Sequence, residues 1–193
     1  MKIAIASSGL GHVTRGIETW ALDTAAALVE YGSQESGGRS RETGTELSVT
    51  LFCAAELQSP VPRGLSVVVL PCLKRGDWQA RWLVRLAPGF TWRWGWKSGY
   101  DLEQKSFWRK LWPILRDEGF DILHVQDPLL ADRCRRYRMA GKLKTREILA
   151  HGTEESPKFV AQFEFVQHLA PWHMKQVSGV MDPADIAGCR QIS

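Results

Sequence analysis

The chain has 193 residues, the length of one ordinary globular domain. Its 44% hydrophobic and 24% charged residues exclude a wholly disordered or fibrous protein. No apolar run approaches the roughly 20 residues of a membrane-spanning helix, and residues 1–9 lack the apolar core of a signal peptide. We therefore predict a cytoplasmic protein.

The net charge of +4 hides a strongly basic segment at residues 74–116. That segment holds ten Lys and Arg residues against three acidic residues, Asp77, Asp101 and Glu103, so its charge is +7 and the remainder is −3. It also contains seven of the nine tryptophans: Trp78, Trp82, Trp92, Trp94, Trp96, Trp108 and Trp112. Three interpretations remain open: a surface for a membrane or an acceptor, a tryptophan core with solvated charges, or nucleic-acid binding, for which no recognisable module is present.

Strands alternate with helices along the chain. β-branched-rich apolar runs predict strands at 2–7, 47–54, 66–70, 121–125 and 146–150. Apolar periodicity predicts helices at 15–30, 107–115 (kinked at Pro113) and 129–144. A further helix is predicted to be capped by Ser156, to begin at Pro157 and to bury Phe159, Val160, Phe163 and Val166. Residues 33–45 are polar and predict a mobile surface loop.

This alternation predicts an α/β fold, a Rossmann-like three-layer domain with a mostly parallel sheet. We assign it to residues 1–178, followed by a weakly patterned tail at 179–193. Ligands of such folds bind beyond the carboxyl ends of the strands. Loops 9–14, 126–128 and 151–155 each follow a strand and should therefore meet at one edge of the sheet.

The four cysteines, Cys53, Cys72, Cys134 and Cys189, lie far apart and predict free thiols rather than a metal site. The loop at Gly9 and Gly11 joins a strand to a helix and is suited to a phosphate-like ligand. Thr14 stands where a dinucleotide fingerprint has its third glycine, which argues against a nucleotide-binding oxidoreductase despite Glu56. A glycine turn with a purely structural role remains the alternative.

Three motifs together resemble a known family. They are Gly9-Leu10-Gly11-His12 with residues 15–20, the segment 121–128 (DILHVQDP), and the segment 151–157 (HGTEESP). In this order they resemble the N-terminal, acceptor-side domain of GT-B glycosyltransferases, and family 4 in particular. The resemblance implies transfer of a sugar from a nucleotide-sugar donor to a sugar or lipid-linked acceptor, with no cofactor or metal.

The resemblance also implies roles for particular residues. His124 and Asp127 would be catalytic on the acceptor side. Donor phosphate and substrate would meet Gly9, Gly11, His12, Gly16, His151, Gly152 and Thr153. Gln126 stands where many relatives have a second histidine, and glutamine cannot act as a general base. Each histidine has a structural alternative, which we favour for His168 and His173, expected on a late helix.

The resemblance further implies a second, donor-binding domain that carries paired glutamates and an Arg/Lys phosphate clamp. We therefore expect residues 1–193 to lack a complete active site and to need that domain or a separate partner chain. We expect contact with the inner face of a membrane through residues 74–116, and no nucleic acid. The alternative is a non-enzymatic module that binds an anionic ligand or a membrane.

Overall fold

The computed structural model describes residues 1–13, 16–37, 47–86, 98–152, 155–170, 179 and 190–192. Within these ranges seven strands form one sheet: β1 (Lys2–Ser7), β2 (Ser48–Cys53), β3 (Ser66–Val69), β4 (Ile122–Val125), β5 (Arg146–His151), β6 (Phe165–His168) and β7 (Arg190–Ile192). The helices are α1 (Gly16–Gly37), α2 (Trp78–Leu86), α3 (Gly99–Glu118), α4 (Pro128–Met139) and the single turn α5 (Pro157–Val160).

The sheet has the order β3-β2-β1-β4-β5-β6-β7, and each of its neighbouring pairs is parallel. Ile5 of β1 lies beside Leu51 of β2 on one side and His124 of β4 on the other. Because the chain winds from β1 outward to β3 and then returns to β4, the winding direction reverses between β1 and β4. The predicted Rossmann-like α/β domain with a parallel sheet is therefore confirmed.

Alternate side chains of the strands enter two apolar cores on opposite faces of the sheet. On one face, Ala4, Leu123 and Leu149 pack with buried residues of α3 and α4 such as Leu111 and Leu130. On the other face, the core comprises Ile3, Ile5, Val49, Leu51 and Cys53 of the strands together with Ala21 and Ala25 of α1. Helices thus cover both faces, as the three-layer prediction requires.

The structure corrects several predicted boundaries. Helix α1 continues to Gly37, so residues 33–37 are helical rather than part of a mobile loop. Helix α3 begins eight residues before the predicted start, capped by the Ser98 hydroxyl, and continues past Pro113 to the left-handed Gly119. Helix α4 ends at Met139 rather than at residue 144.

The region after Ser156 is the largest error. Ser156 caps α5 and Pro157 begins it, as predicted, but the helix lasts one turn. Val166 and His168 lie on strand β6 rather than on a helix. β7 pairs with β6 inside the segment that the sequence assigns to a tail. His173, Cys189 and residues 38–46 lie outside the described residues, while Cys53, Cys72 and Cys134 are free thiols as predicted.

Candidate functional site

The reversal point between β1 and β4 holds a buried polar cluster. The backbone N–H of Ser8, the first residue after β1, donates a 2.6 Å hydrogen bond to Asp127 Oδ2. The hydroxyl of Tyr100, from the first turn of α3, donates a 2.7 Å bond to Asp127 Oδ1. Both oxygens of this buried carboxylate are therefore occupied, and they join the loops after β1 and β4 to α3. Burial raises the pKa of Asp127, and the Ser8 and Tyr100 bonds oppose that rise.

Glu103, one turn further along α3, is the centre of the cluster. Its side chain is fully buried and accepts bonds from the Arg75 backbone N–H at 2.8 Å and from Arg75 Nη2 at 2.6 Å. Ser8 Oγ lies 3.3 Å away. Although burial opposes ionisation, the bonds from His12 and Arg75 lower the pKa of Glu103 to about 2. Glu103 is therefore a permanent negative charge at neutral pH.

His12 is placed by this carboxylate. His12 Nε2 lies 3.1 Å from Glu103 Oε2, and the imidazole is 10% exposed. The geometry assigns the Nε2 proton to the bond with Glu103, since a carboxylate can only accept. Nδ1, which carries the lone pair in the neutral ring, is buried and makes no hydrogen bond within the described part of the chain. This is the arrangement of a histidine base oriented by a carboxylate.

The glycine loop has a structural explanation at one of its positions. Gly11 has φ +92°, and a Cβ there would lie 2.3 Å from the Ala55 carbonyl oxygen. The close approach arises because the Ala54 and Ala55 N–H groups donate to the Leu10 carbonyl. Glycine at position 11 therefore lets the loops after β1 and β2 pack together. Gly9 is buried beside it, whereas a Cβ at Gly16 would meet no atom within 4 Å.

His124 lies apart from this cluster. It belongs to β4 and faces α1, where the Trp20 ring meets it edge-on with centroids 4.9 Å apart. Burial lowers the pKa of His124 to about 4, with Gln167 opposing the shift, so the ring is neutral at physiological pH. The structure thus brings Asp127 to the cluster and leaves His124 beneath α1.

The loop after β5 reaches the same edge of the sheet. His151 and His168 are register partners on β5 and β6, with their Nδ1 atoms 3.2 Å apart and both rings buried. A Cβ at Gly152 would lie 2.7 Å from Gln126 Nε2, so the loops after β4 and β5 are in contact. Thr153 lies outside the described residues. The expected meeting of the three loops is confirmed for the residues that the structure describes.

Three members of the cluster were not singled out from the sequence: Arg75, Tyr100 and Glu103. Arg75 was counted among the basic residues of segment 74–116, although its charge is neutralised by Glu103 and its guanidinium stacks 4.5 Å from the Tyr100 ring centroid. One feature of the sequence could have indicated Glu103: it is one of only three acidic residues in that basic segment. Cys72 lies beside the cluster, where burial and Glu103 raise its pKa to about 12 and keep it a thiol.

The tryptophans of segment 74–116 divide between core and surface. Trp108 is buried against Tyr137, whereas Trp78 and Trp82 on α2 are 72% and 60% exposed. Trp92, Trp94 and Trp96 lie outside the described residues. No helix in the described ranges is long and apolar enough to cross a membrane.

Neither a metal site nor similarity to a known protein indicates the function of the cluster. Among the residues whose positions the structure describes, no group of three or more His, Cys, Asp or Glu side chains could hold a metal ion. No protein-family model matches this chain, and no curated protein matches it.

Proposed function

We propose that this chain is the acceptor-binding domain of a GT-B glycosyltransferase and that His12 is its general base. The observation that carries the proposal is the His12–Glu103 pair at the β1–β4 reversal point, with the Nδ1 lone pair unused among the described residues. The resemblance of the three loop motifs to this class, and their convergence at one edge of the sheet, support it.

His12 Nδ1 is buried in this structure, so the proposed reaction requires the loop at residues 9–13 to expose it. An acceptor hydroxyl then transfers its proton to His12 Nδ1 while its oxygen forms a bond to the anomeric carbon of the donor sugar. The bond from that carbon to the nucleoside diphosphate breaks, and the diphosphate leaves with the electron pair. Glu103 stabilises the imidazolium that forms, and Arg75 keeps Glu103 ionised and fixed. The donor sugar would be held by a second domain or a partner chain.

Asp127 has a positioning role in this proposal. Its oxygens are already used by the Ser8 N–H and the Tyr100 hydroxyl, so it fixes the loop that carries His12 relative to α3. The neutral, buried His124 would support the packing of α1 on β4. Gly11 would serve loop packing rather than phosphate binding, because the Ala55 carbonyl fills the space beside it.

We also propose that the domain acts in the cytoplasm at the inner face of a membrane, on a sugar or lipid-linked acceptor. The support is the exposed pair Trp78 and Trp82 within the basic segment 74–116.

The proposed function is tested by ligand-observed NMR on the purified chain. The panel contains neutral hexoses, N-acetylhexosamines, hexose phosphates, UDP-glucose, GDP-mannose and NAD. We expect saturation transfer to at least one of the sugars that carry no nucleotide. Its dissociation constant should lie in the weak, millimolar range typical of an isolated acceptor site. His12→Gln should abolish it, whereas Asp117→Asn, which breaks only the exposed ion pair with Arg116, should retain it.

Binding of NAD, UDP-glucose or GDP-mannose without binding of any sugar that lacks a nucleotide would contradict the proposal and favour a nucleotide-binding module. Sugar binding that survives His12→Gln would also contradict it, because the site would then lie elsewhere. We expect no sugar transfer by the 193-residue chain alone.

A further inference from the structure

We propose that Arg133 of α4, with Lys105 and Arg109 of α3, binds a phosphate dianion, either free phosphate or a small soluble monoester. The site lies between the two helices and contains no member of the His12–Glu103 cluster. The inference goes beyond the proposed function and does not rest on it.

Arg133 differs from the other arginines of α4 in its pairing. The helix contains four arginines, and the other three form ion pairs with Asp132 or Glu147. Arg133 has no hydrogen-bond or ion-pair partner in the described part of the chain, although its side chain is half-buried and its Nε is shielded from solvent. Because burial of an uncompensated charge is costly, a guanidinium in such a place calls for an anion.

The packing of α4 on α3 fixes the position of Arg133. One turn after Arg133, the Tyr137 ring packs edge-on against Trp108 of α3, with ring centroids 5.4 Å apart. One turn before it, the Leu129 N–H donates a 3.0 Å hydrogen bond to Gln104 Oε1 of α3. Arg133 therefore lies between two contacts of the helix pair. A site held in this way loses little conformational entropy when it binds a ligand.

The α3 side chains around Arg133 are cationic. Lys105 and Arg109 lie one turn apart on α3, and both act on Arg133 electrostatically. Burial lowers the pKa of Arg133, and the charges of Arg136 and Arg109 lower it further. Burial and the charge of Arg133 likewise lower the pKa of Lys105. Each cation is thus destabilised by its neighbours, and an anion between them would stabilise all three.

The balance of charge favours a phosphate over a carboxylate. Asp132 attracts Arg133 but already accepts bonds from two other arginines, and Asp101 is the acid that attracts Lys105. Three cations against Asp101 leave a net charge of +2. A phosphate monoester carries about −1.5 to −2 charges at pH 7 and offers three acceptor oxygens, whereas a carboxylate carries one charge. An arginine fork with an adjacent lysine suits such a group.

The test is isothermal titration calorimetry and thermal unfolding of the full chain with inorganic phosphate and with glucose 6-phosphate. We expect a dissociation constant of about 1 mM. The melting temperature should rise by about 3 °C or more in about 20 mM phosphate, relative to potassium chloride of equal ionic strength. Binding of both ligands would show that the phosphate alone suffices, and binding of glucose 6-phosphate alone would identify a monoester site.

Arg133→Met removes the charge and keeps the apolar stem of the side chain. We expect it to weaken phosphate binding about tenfold or more. In chloride the variant should be as stable as the wild type or more stable, because the unpaired charge is gone. A purely structural arginine would give the reverse, a loss of stability in chloride. The matched control is Arg146→Gln, which removes an exposed cation at the start of β5 and should bind phosphate as the wild type does.

The proposal is overturned if phosphate stabilises the chain no more than chloride does, or if Arg133→Met binds phosphate as the wild type does. It is also overturned if a single-stranded oligonucleotide, which carries diesters, binds and phosphate does not. Inorganic phosphate contains no sugar, so its binding reports on this site, while binding of neutral hexoses reports on the acceptor site. A hexose phosphate held here should bind to His12→Gln and not to Arg133→Met, so the two proposals can fail separately.

Discussion

Glu103→Gln is expected to lower the free energy of unfolding by about 3 kcal/mol at pH 7. The carboxylate is fully buried and neutralises Arg75, whose side chain is only 26% exposed. The neutral amide of glutamine accepts hydrogen bonds from the Arg75 backbone N–H, the Arg75 guanidinium and His12 less strongly than the carboxylate does. The Arg75 cation is then left half-buried without a negatively charged partner. Urea unfolding followed by circular dichroism measures the change.

The effect of Glu103→Gln should also depend on pH in a defined way. The folded-state pKa of Glu103, about 2, lies below its ordinary value of 4.5, so the charged group contributes its full stabilisation above pH 4.5. That contribution is lost as the pH falls through about 2, and the difference between wild type and variant should shrink over this range. Asp117→Asn, which breaks the exposed pair with Arg116, is the matched control and should change stability little at any pH. An undiminished difference at pH 3 would contradict the assignment of a charged Glu103.

Gly11→Ala is expected to destabilise the protein by about 3 kcal/mol. The new Cβ would lie 2.3 Å from a backbone carbonyl oxygen that cannot rotate away, and the residue has φ +92°. Both causes act on the loop that carries His12, so the variant should also weaken sugar binding. Thermal and urea unfolding measure the stability change.

Gly16→Ala is the matched glycine variant. It lies five residues away at the first position of α1, where a Cβ meets nothing within 4 Å, and alanine is the better helix former. We expect stability equal to or slightly above that of the wild type. Equal destabilisation by the two substitutions would refute the packing role that we assign to Gly11.

Strands β1 to β5 could be predicted from the sequence to within one residue at each end. Buried parallel strands such as β2 and β5 are short β-branched and apolar runs, and this pattern is a local property of the sequence. Strand β6 was not found, because its two apolar residues, Phe165 and Val166, are followed by the polar Gln167 and His168, a pattern that matches a helix face equally well. Only pairing with β5 decides between the two structures.

The start of α3 could not be predicted because its first two turns bury two polar side chains, Glu103 and Gln104, and only one apolar side chain, Leu102. Glu103 and Gln104 are fully buried, yet apolar periodicity counts both as solvent-facing residues. Gln104 accepts a hydrogen bond from the Leu129 N–H. Glu103 accepts hydrogen bonds from Arg75 and His12, which lie in distant parts of the chain. The centre of the candidate site therefore depends on tertiary contacts. The loops around it were foreseen because the carboxyl ends of parallel strands must meet.

The most direct test of the acceptor-site proposal is to map a bound sugar by amide chemical shifts of the ¹⁵N-labelled chain, with the sugar that binds best in the panel. Our account predicts that the largest shifts fall at residues 8–13 and 100–103, around His12 and Glu103. The opposite edge of the sheet has a cleft of about 530 Å³ lined by residues such as Gly119, Phe120, Lys142 and Arg146. Shifts confined to that cleft, with residues 8–13 unchanged, would contradict the account.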